Sequence, residues 1–251
     1  MLSAYPRPDA TPPAPPLTIV VPTYNERDNL PRLVERLFAA VSPAATELLV
    51  VDDNSPDGTA AVAAALAAQQ PIRCLVRTGE RGLATAVLAG LAAARGEIVV
   101  VMDADLSHPP ERIPALVAAL ADPDVPMAVG SRFVPGAHID GRWPWTRRLN
   151  SRVARLLARP LTPVRDMLSG FFAVRRAALR LAELRPVGYK IALELIVRHG
   201  WTRIAEVPIT FTDRTAGRTK LNLAEQVRYL RHLARLYAFV LRGGRRRVRH
   251  G

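Results

Sequence analysis

Four consecutive β-branched residues, Ile98 to Val101, run straight into Met102-Asp103-Ala104-Asp105, and no other stretch restricts the fold as tightly. An unbroken apolar run this short reads as a strand covered on both faces, as in a parallel sheet with helices on either side. Two carboxylates just beyond such a strand put charge at the carboxyl edge of the sheet, where open α/β proteins bind ligands. Alternate side chains of an extended backbone share a face, so Asp103 and Asp105 are expected to converge on one hard cation, Mg²⁺ or Mn²⁺, of the kind often shared with a diphosphate. Pro109, Pro110 and Glu111 then start the next helix.

The preceding chain repeats this unit. Leu17 to Val21 is a short apolar strand ending at Pro22-Thr-Tyr24-Asn-Glu26, followed by Leu30, Leu33, Val34, Leu37, Phe38 and Val41 at helical spacing. Leu48 to Val51 ends in Asp52-Asp53-Asn-Ser-Pro-Asp57-Gly58 and leads into an alanine-rich helix reaching about Gln70; Ile72 to Val76 is a third strand, and a glycine-bounded loop opens a helix over Leu83 to Arg95. Strands alternating with helices predict right-handed crossovers and a doubly wound, mostly parallel sheet flanked by helices. Taken singly, Asp53, Asn54, Asp57 and Gly58 are ordinary turn residues. Three polar clusters delivered to one sheet edge point instead to a ligand site. No Gly-x-Gly-x-x-Gly follows the first strand, no Walker loop or Gly-x-Ser-x-Gly elbow is present, and the five histidines lack metal-ligand spacing. These absences argue against a dinucleotide dehydrogenase, a P-loop kinase and a serine hydrolase.

Positive charge dominates the second half. The 251 residues carry a net charge of +13, and lysine occurs only at positions 190 and 220, the remaining basic residues being arginine. Such a balance implies an anionic partner: nucleic acid, a phospholipid surface or a phosphorylated substrate. After a strand at Met127 to Gly130, arginines gather at 132, 142, 147, 148, 152 and 155; Arg147 and Ser151, four apart, would share a helical face suited to an anion. Asp213-Arg214-Thr-Ala-Gly-Arg-Thr-Lys220 is a cationic loop able to fold over phosphates. From Leu223 to Arg242 the pattern is an amphipathic helix, with Arg228, Arg231, Arg235 and Arg242 in one arc, followed by a polybasic tail from 243 to 251. Its uncharged core, Leu236 to Leu241, is far short of the roughly 20 residues that span a bilayer, so this helix is expected to dock on a membrane surface or a membrane-protein partner, with ordinary packing on the domain as the alternative. The basic residues accompany apolar helix faces rather than interleaved aromatics, which argues against nucleic acid. Residues 1–16, rich in proline, read as a disordered tail, and the single cysteine, Cys74, fits a reducing, cytosolic setting.

The combination Val21-Pro-Thr-Tyr-Asn-Glu26, Val51-Asp-Asp-Asn-Ser-Pro-Asp-Gly-Thr59, Asp103-Ala-Asp-Leu-Ser-His-Pro-Pro-Glu111, Gly130-Ser-Arg-Phe133, Ser169-Gly-Phe171 and Glu206-Val-Pro-Ile209 resembles the family 2 glycosyltransferases of GT-A fold, and within them the dolichol- or polyprenol-phosphate mannose synthases. The likeness covers about residues 17 to 222. It implies a GT-A, Rossmann-like α/β domain over that range, with the helix at 223–242 as a docking appendage. It implies an inverting transfer of mannose from GDP-mannose to a polyprenyl monophosphate at the cytoplasmic face of a membrane, aided by Mg²⁺ or Mn²⁺, with a UDP-glucose donor as the alternative. Pro22, Tyr24, Glu26, Val51, Asp53, Asp103, Ala104 and Asp105 would surround the nucleotide. Asp103, Asp105 and Ser107 would hold the metal, with Ser107 standing where relatives often have glutamine. Arg132, Arg147, Ser151, Arg214 and Lys220 would contact the diphosphate or acceptor phosphate, with Arg132 counted beside Asp103 and Asp105 as catalytic. A separate membrane-spanning subunit is a further implied partner.

Overall fold

A computed structural model describes residues 15–140, 144–185, 187–188, 190–212 and 223–244. Strand β1 (Leu17–Thr23) leads to helix α1 (Leu30–Ala40), β2 (Thr46–Asp52) to α2 (Thr59–Leu66), β3 (Ile72–Val76) to α3 (Leu83–Ala93), and β4 (Ile98–Val101) to α4 (Ile113–Ala118). The second half contributes β5 (Met127–Ser131), β6 (His138–Asp140), α5 (Trp145–Ala158), β7 (Phe172–Arg175), α6 (Ile191–Arg198), β8 (Ile204–Pro208), β9 (Thr210–Thr212) and α7 (Leu223–Leu241). The alanine-rich α2 stops at Leu66 rather than near Gln70, its last residues passing into turns.

One seven-stranded sheet of order β3-β2-β1-β4-β7-β5-β8 forms the centre, and β6 pairs with β9 in a small second sheet. β7 alone in the large sheet runs antiparallel to its neighbours. Chain direction across the sheet reverses at β1: β2 and β3 lie on one side and β4 on the other. The crevice at such a reversal is the standard ligand position of a doubly wound sheet, and it lies between the ends of β1 and β4. Both faces are covered, which explains the uninterrupted apolar strands. One layer packs Val20, Leu49, Val51, Val99 and Val101 against α3, α6 and α7; the other packs Ile19, Val21, Leu48, Val50 and Val100 against α1, α2 and α4. Gly90 lets α3 lie directly on β1, since a Cβ there would stand 2.3 Å from Val20 Cγ1.

α7 docks on the domain by one face, with His232, Leu233 and Leu236 buried. The Tyr229 and Tyr237 hydroxyls donate to the carbonyls of Ala154 (2.6 Å) and Leu157 (2.7 Å) on α5. Val227, Leu230 and Leu241 remain exposed. Apolar residues cover more than half of this helix, enough to serve an inner face and an outer one. No helix among the described residues is long and apolar enough to cross a membrane. The N-terminal tail before residue 15, Arg142, the 213–222 loop with Arg214 and Lys220, and the arginines from 245 onward lie outside the described residues.

Candidate active site

The loops after β1 and β2 are tied together by their own side chains. Asp52 is buried and accepts from the Thr23 hydroxyl (2.9 Å), the Ser55 hydroxyl (2.6 Å) and the Ser55 N–H (2.8 Å). The N–H groups of Asn25, Glu26 and Arg27 donate in turn to Ser55 Oγ (3.0 Å), Thr59 Oγ1 (3.0 Å) and Asp57 Oδ2 (3.1 Å). Asp57 also binds the Thr59 N–H and hydroxyl; burial raises the carboxyl's pKa, but its hydrogen bonds with Thr59 and the Arg27 N–H together outweigh it and hold the group below its ordinary value. The motif residues from 22 to 26 and from 52 to 59 are therefore one folded unit, although the sequence separates them.

Asp53 faces the other way. Its Oδ2 accepts the Gly82 N–H at 2.7 Å, and its Oδ1 lies 3.0 Å from Arg77 Nη1. Arg77 also donates to Glu80 O and Thr85 Oγ1, and Arg81 lies 5.4 Å over the half-exposed Tyr24 ring. A wall of Tyr24, Asp53, Arg77 and Arg81 thus borders the crevice on the β2 side. Pro22 and Val51 are register partners on adjacent strands, both buried. Val51 and Ala104 have their side chains in the core, so either can offer a ligand only its backbone.

Across the crevice, Asp103 stands two residues past the end of β4, and Ala104 and Asp105 form a turn rather than extended backbone. Any convergence of the two carboxylates comes from that turn. Asp105 Oδ1 accepts the N–H of the buried Ser107 at 3.0 Å, so the backbone at Ser107 orients the carboxylate. His108 accepts the Asp103 N–H on Nδ1 (3.1 Å) while stacked 5.3 Å from Phe171 and edge-on to Phe211. Burial holds its pKa below the ordinary histidine value against the pull of Asp103 and Asp105, so it is a neutral prop for Asp103. Gly170 leaves Asp103 open: a Cβ there would sit 3.6 Å from both carboxylate oxygens. Asp103 is 28% exposed. Its oxygens, with those of Asp105, are a hard donor pair that suits Mg²⁺ or Mn²⁺. Among the described residues no group of three or more His, Cys, Asp or Glu side chains is positioned to hold a metal. The pair therefore fits a cation that takes its other oxygens from elsewhere.

Backbone geometry marks the same edge. Among the described residues, those other than glycine with positive φ are Asn25 (61°), Asn54 (54°) and Leu106 (63°), one in each of the loops after β1, β2 and β4. Such residues cost about 1–3 kcal/mol each and collect at functional sites.

Arg132 closes the far side. Its Nε and Nη2 grip Asp166 at 2.8 Å each, and its own N–H donates to the same carboxylate at 2.9 Å. Burial opposes its charge, but Asp166, with help from Asp103, raises its pKa. The Asp166 loop is held from below by Glu206, which accepts the N–H groups of Arg165 and Asp166. Lys190, at the start of α6, is a cation that the motif reading passes over. Burial pushes its ammonium down to about 7; Arg132 adds to this, and Asp166, Asp103 and Glu225 oppose it, which puts Lys190 in electrostatic reach of both carboxylate clusters.

These elements recur in known proteins. A model of glycosyl transferase family 2 matches residues 18–181. The chain is a family 2 glycosyltransferase. It is 44% identical over 234 residues to the dolichol-phosphate mannosyltransferase of Saccharomyces cerevisiae, covering 88% of this chain and 87% of that one. Identity to the protein of the same name from Pyrococcus furiosus is 41% over 224 residues, covering 88% of this chain and 63% of the relative, so the chain spans less than two thirds of the archaeal protein's length. Among solved structures, glucosyl-3-phosphoglycerate synthase of Mycobacterium tuberculosis, crystallised with Mn²⁺ and UDP, is 25% identical with a TM-score of 0.65 over 88% of this chain and 78% of that one. A mannosyltransferase from Pyrobaculum calidifontis shares the fold, with 24% identity and a TM-score of 0.62 over 91% of this chain and 65% of that one.

The GT-A architecture expected from the motifs is thus the one this family 2 transferase adopts. Its least ordinary element is α5. Arg147, Ser151 and Arg155 lie on the partly buried side of that helix, while Trp145, Leu149, Val153 and Leu156 fall in an arc of about 80° on the opposite side. Trp145 and Leu156 are 74% and 63% exposed, and Leu149, Val153 and Leu157 are exposed as well. A surface helix ordinarily buries its apolar stripe and exposes its polar one. In this transferase α5 does the reverse.

Proposed function

We propose that this chain transfers mannose from GDP-mannose to a polyprenyl monophosphate at a membrane surface, with inversion at the sugar carbon. Identity of 41–44% to dolichol-phosphate mannosyltransferases supports the sugar and the acceptor class, and the observation that carries the reading is the reversed α5. Its exposed apolar stripe suits the headgroup region of a bilayer, the exposed Arg148, Arg152 and Arg159 suit anionic lipid, and its inward polar side faces the Arg132–Asp166 edge, where a lipid-borne phosphate would have to arrive. We infer peripheral docking on the membrane through α5 and the outer side of α7, and leave a spanning partner subunit as a compatible addition.

In this reading the donor nucleotide lies along Pro22, Tyr24, Glu26 and Asp53, with the backbone of Val51 and Ala104 beside it. A divalent cation held by Asp103 and Asp105 would supply Lewis-acid neutralisation of the leaving diphosphate. Ser107 acts through its backbone, by aiming Asp105. Lys190 in its protonated form adds positive charge on the protein side, as would Arg214 and Lys220. Arg132, held by Asp166, is a fixed element of the wall rather than a mobile finger. The acceptor phosphate has a second pKa near 6 and is already ionised at neutral pH, so no general base is required. Its oxygen bonds to the sugar carbon as the bond from that carbon to GDP breaks, and GDP departs with the electron pair.

Purified protein incubated with membranes, Mg²⁺ and labelled GDP-mannose is expected to give lipid-extractable mannose, abolished by Asp105→Ala. No lipid-linked product, beside a working control synthase, defeats the proposal. The M. tuberculosis structure, with UDP bound, motivates UDP-glucose as the competing donor, and a panel of both donors separates the two.

A further inference from the structure

Arg155 is a charged group that the fold brings to the site without an acidic partner among the described residues. Its guanidinium carbon lies 3.6 Å from the centre of the Phe133 ring, and its Nε is buried with no hydrogen-bond partner. Arg132, the residue before Phe133, has its own guanidinium carbon 5.5 Å from the same ring. Two guanidiniums therefore flank one aromatic side chain, and they differ in how they are neutralised. Arg132 is gripped by Asp166, whereas no carboxylate pairs with Arg155 among the described residues. Burial lowers the Arg155 pKa, Asp166 opposes that, and Arg132 and Arg152 deepen it.

An arginine wanted only for packing could turn its head to water, as Arg148 and Arg152 do on the exposed side of the same helix. Arg155 instead lies inward, at the third position of the series Arg147, Ser151, Arg155, whose four-residue spacing sets all three on one helical face. A guanidinium flat on a ring keeps its edge N–H groups free to fork around a phosphate. The concentration of positive charge there is relieved by an anion between the two arginines.

We propose that Arg155 is a specificity residue for the acceptor, gripping its phosphate monoester beside Arg147 and Ser151 while the Phe133 ring holds the guanidinium flat. This rests on the polyprenyl-phosphate reading of the acceptor.

The test compares the full chain with Arg155→Gln, Arg155→Lys and Phe133→Leu. Affinities for farnesyl monophosphate, farnesol, inorganic phosphate, GDP-mannose and phosphatidylglycerol vesicles are measured for each, together with melting temperature and mannose transfer to farnesyl monophosphate. Arg155→Gln is expected to weaken farnesyl monophosphate about 10- to 150-fold, the range for losing a charge-assisted hydrogen bond, with farnesol, GDP-mannose and vesicle binding within about twofold of the parent. Arg155→Lys retains part of the affinity, since the charge remains and the fork does not, and Phe133→Leu loses about three- to tenfold, as expected for a half-buried cation–π contact. Unchanged affinity of Arg155→Gln for farnesyl monophosphate overturns the proposal. So does an equal loss on vesicles, which would make Arg155 a general membrane contact, or a loss confined to inorganic phosphate, which would make the site one for free phosphate. A lowered melting temperature with GDP-mannose binding lost in parallel overturns it in favour of a packing role. A chain that binds farnesyl monophosphate through Arg155 yet transfers no mannose leaves this site standing and refutes the mannose-transfer reading. Unimpaired transfer by Arg155→Gln, at unchanged acceptor KM, does the opposite.

Discussion

Replacing His232 by leucine is expected to cost about 3 kcal/mol of stability and to loosen α7 from the domain. His232 and Glu194 are each 1% exposed, and Nε2 meets Oε2 at 2.7 Å. The other carboxylate oxygen accepts the Arg185 N–H at 2.9 Å and Arg198 Nε at 3.0 Å. Burial alone would raise the Glu194 pKa, but His232, the Arg185 N–H and Arg198 together lower it. Removing one member of a buried pair costs roughly 3–5 kcal/mol because it strands the other's charge. Arg185 and Arg198 still answer Glu194 here, which argues for the lower end. Spread over a chain of this size, about 3 kcal/mol corresponds to a fall of about 6–12 °C in Tm. Circular dichroism melts read the effect, and limited proteolysis within α7 reads the loosening. His232→Gln, which can still donate to Oε2, is expected to recover at least half of the loss. A melt of His232→Leu within about 2 °C of the parent, a difference of no more than about 1 kcal/mol, would refute the reasoning, as would equal damage from glutamine.

Three further outcomes follow from the same geometry. Burial pushes the Lys190 ammonium down to about 7 and the proposed function uses its charged form, so kcat/KM for GDP-mannose, which reports the free enzyme, is expected to fall as pH rises through about 7; Lys190→Arg removes that limb, and an unaltered profile excludes the role. His199 is buried, accepts the Arg180 N–H on Nε2 and lies 4.4 Å from Trp201, with burial lowering its pKa. The unfolded chain therefore binds a proton at about pH 6.5 that the native state refuses until lower pH, so urea stability followed by tryptophan fluorescence is expected to decline as pH drops below that value, less so in His199→Gln. Leu149→Glu with Leu156→Glu is expected to cut sedimentation with phosphatidylglycerol vesicles at least tenfold while leaving GDP-mannose affinity unchanged; full vesicle binding by the double variant would remove α5 from the docking surface.

The sheet and its loaded edge were legible in the sequence because both rest on local patterns. Short apolar runs ending in polar clusters require a covered parallel sheet, and the rule that ligands gather at strand ends then groups Tyr24, Asp53 and Asp103. What stayed hidden depends on contacts between distant segments. Arg132 read as an available phosphate ligand, yet Asp166, 34 residues on, takes its fork, and nothing in the spacing announces that pairing. The turn at Ala104 and Asp105 was equally invisible: asparagine at positions 25 and 54 tolerates a left-handed backbone, whereas Leu106 gives no hint of one. Periodicity showed that α7 was amphipathic without saying which side faced inward, and the arginines of α5 gave no sign of its outward apolar stripe, since both depend on what the neighbouring elements leave uncovered. Lys190 did leave a signal, as one of two lysines in a chain that otherwise uses arginine, and its meaning emerged only beside Asp103 and Arg132.

The outward stripe of α5 bears on how the protein must be handled. Trp145, Leu149, Val153, Leu156 and Leu157 form a patch that water disfavours and another copy could cover, so purification without detergent or lipid is expected to yield self-associated material whose inner site is intact. If α5 docks on a membrane as proposed, the usual remedy, exchanging surface leucines for lysine or glutamate, would here give a better-behaved sample and a poorer catalyst. Solution assays with short, water-soluble acceptors would pass such variants as sound, and the defect would emerge only when the acceptor has to be drawn from a bilayer.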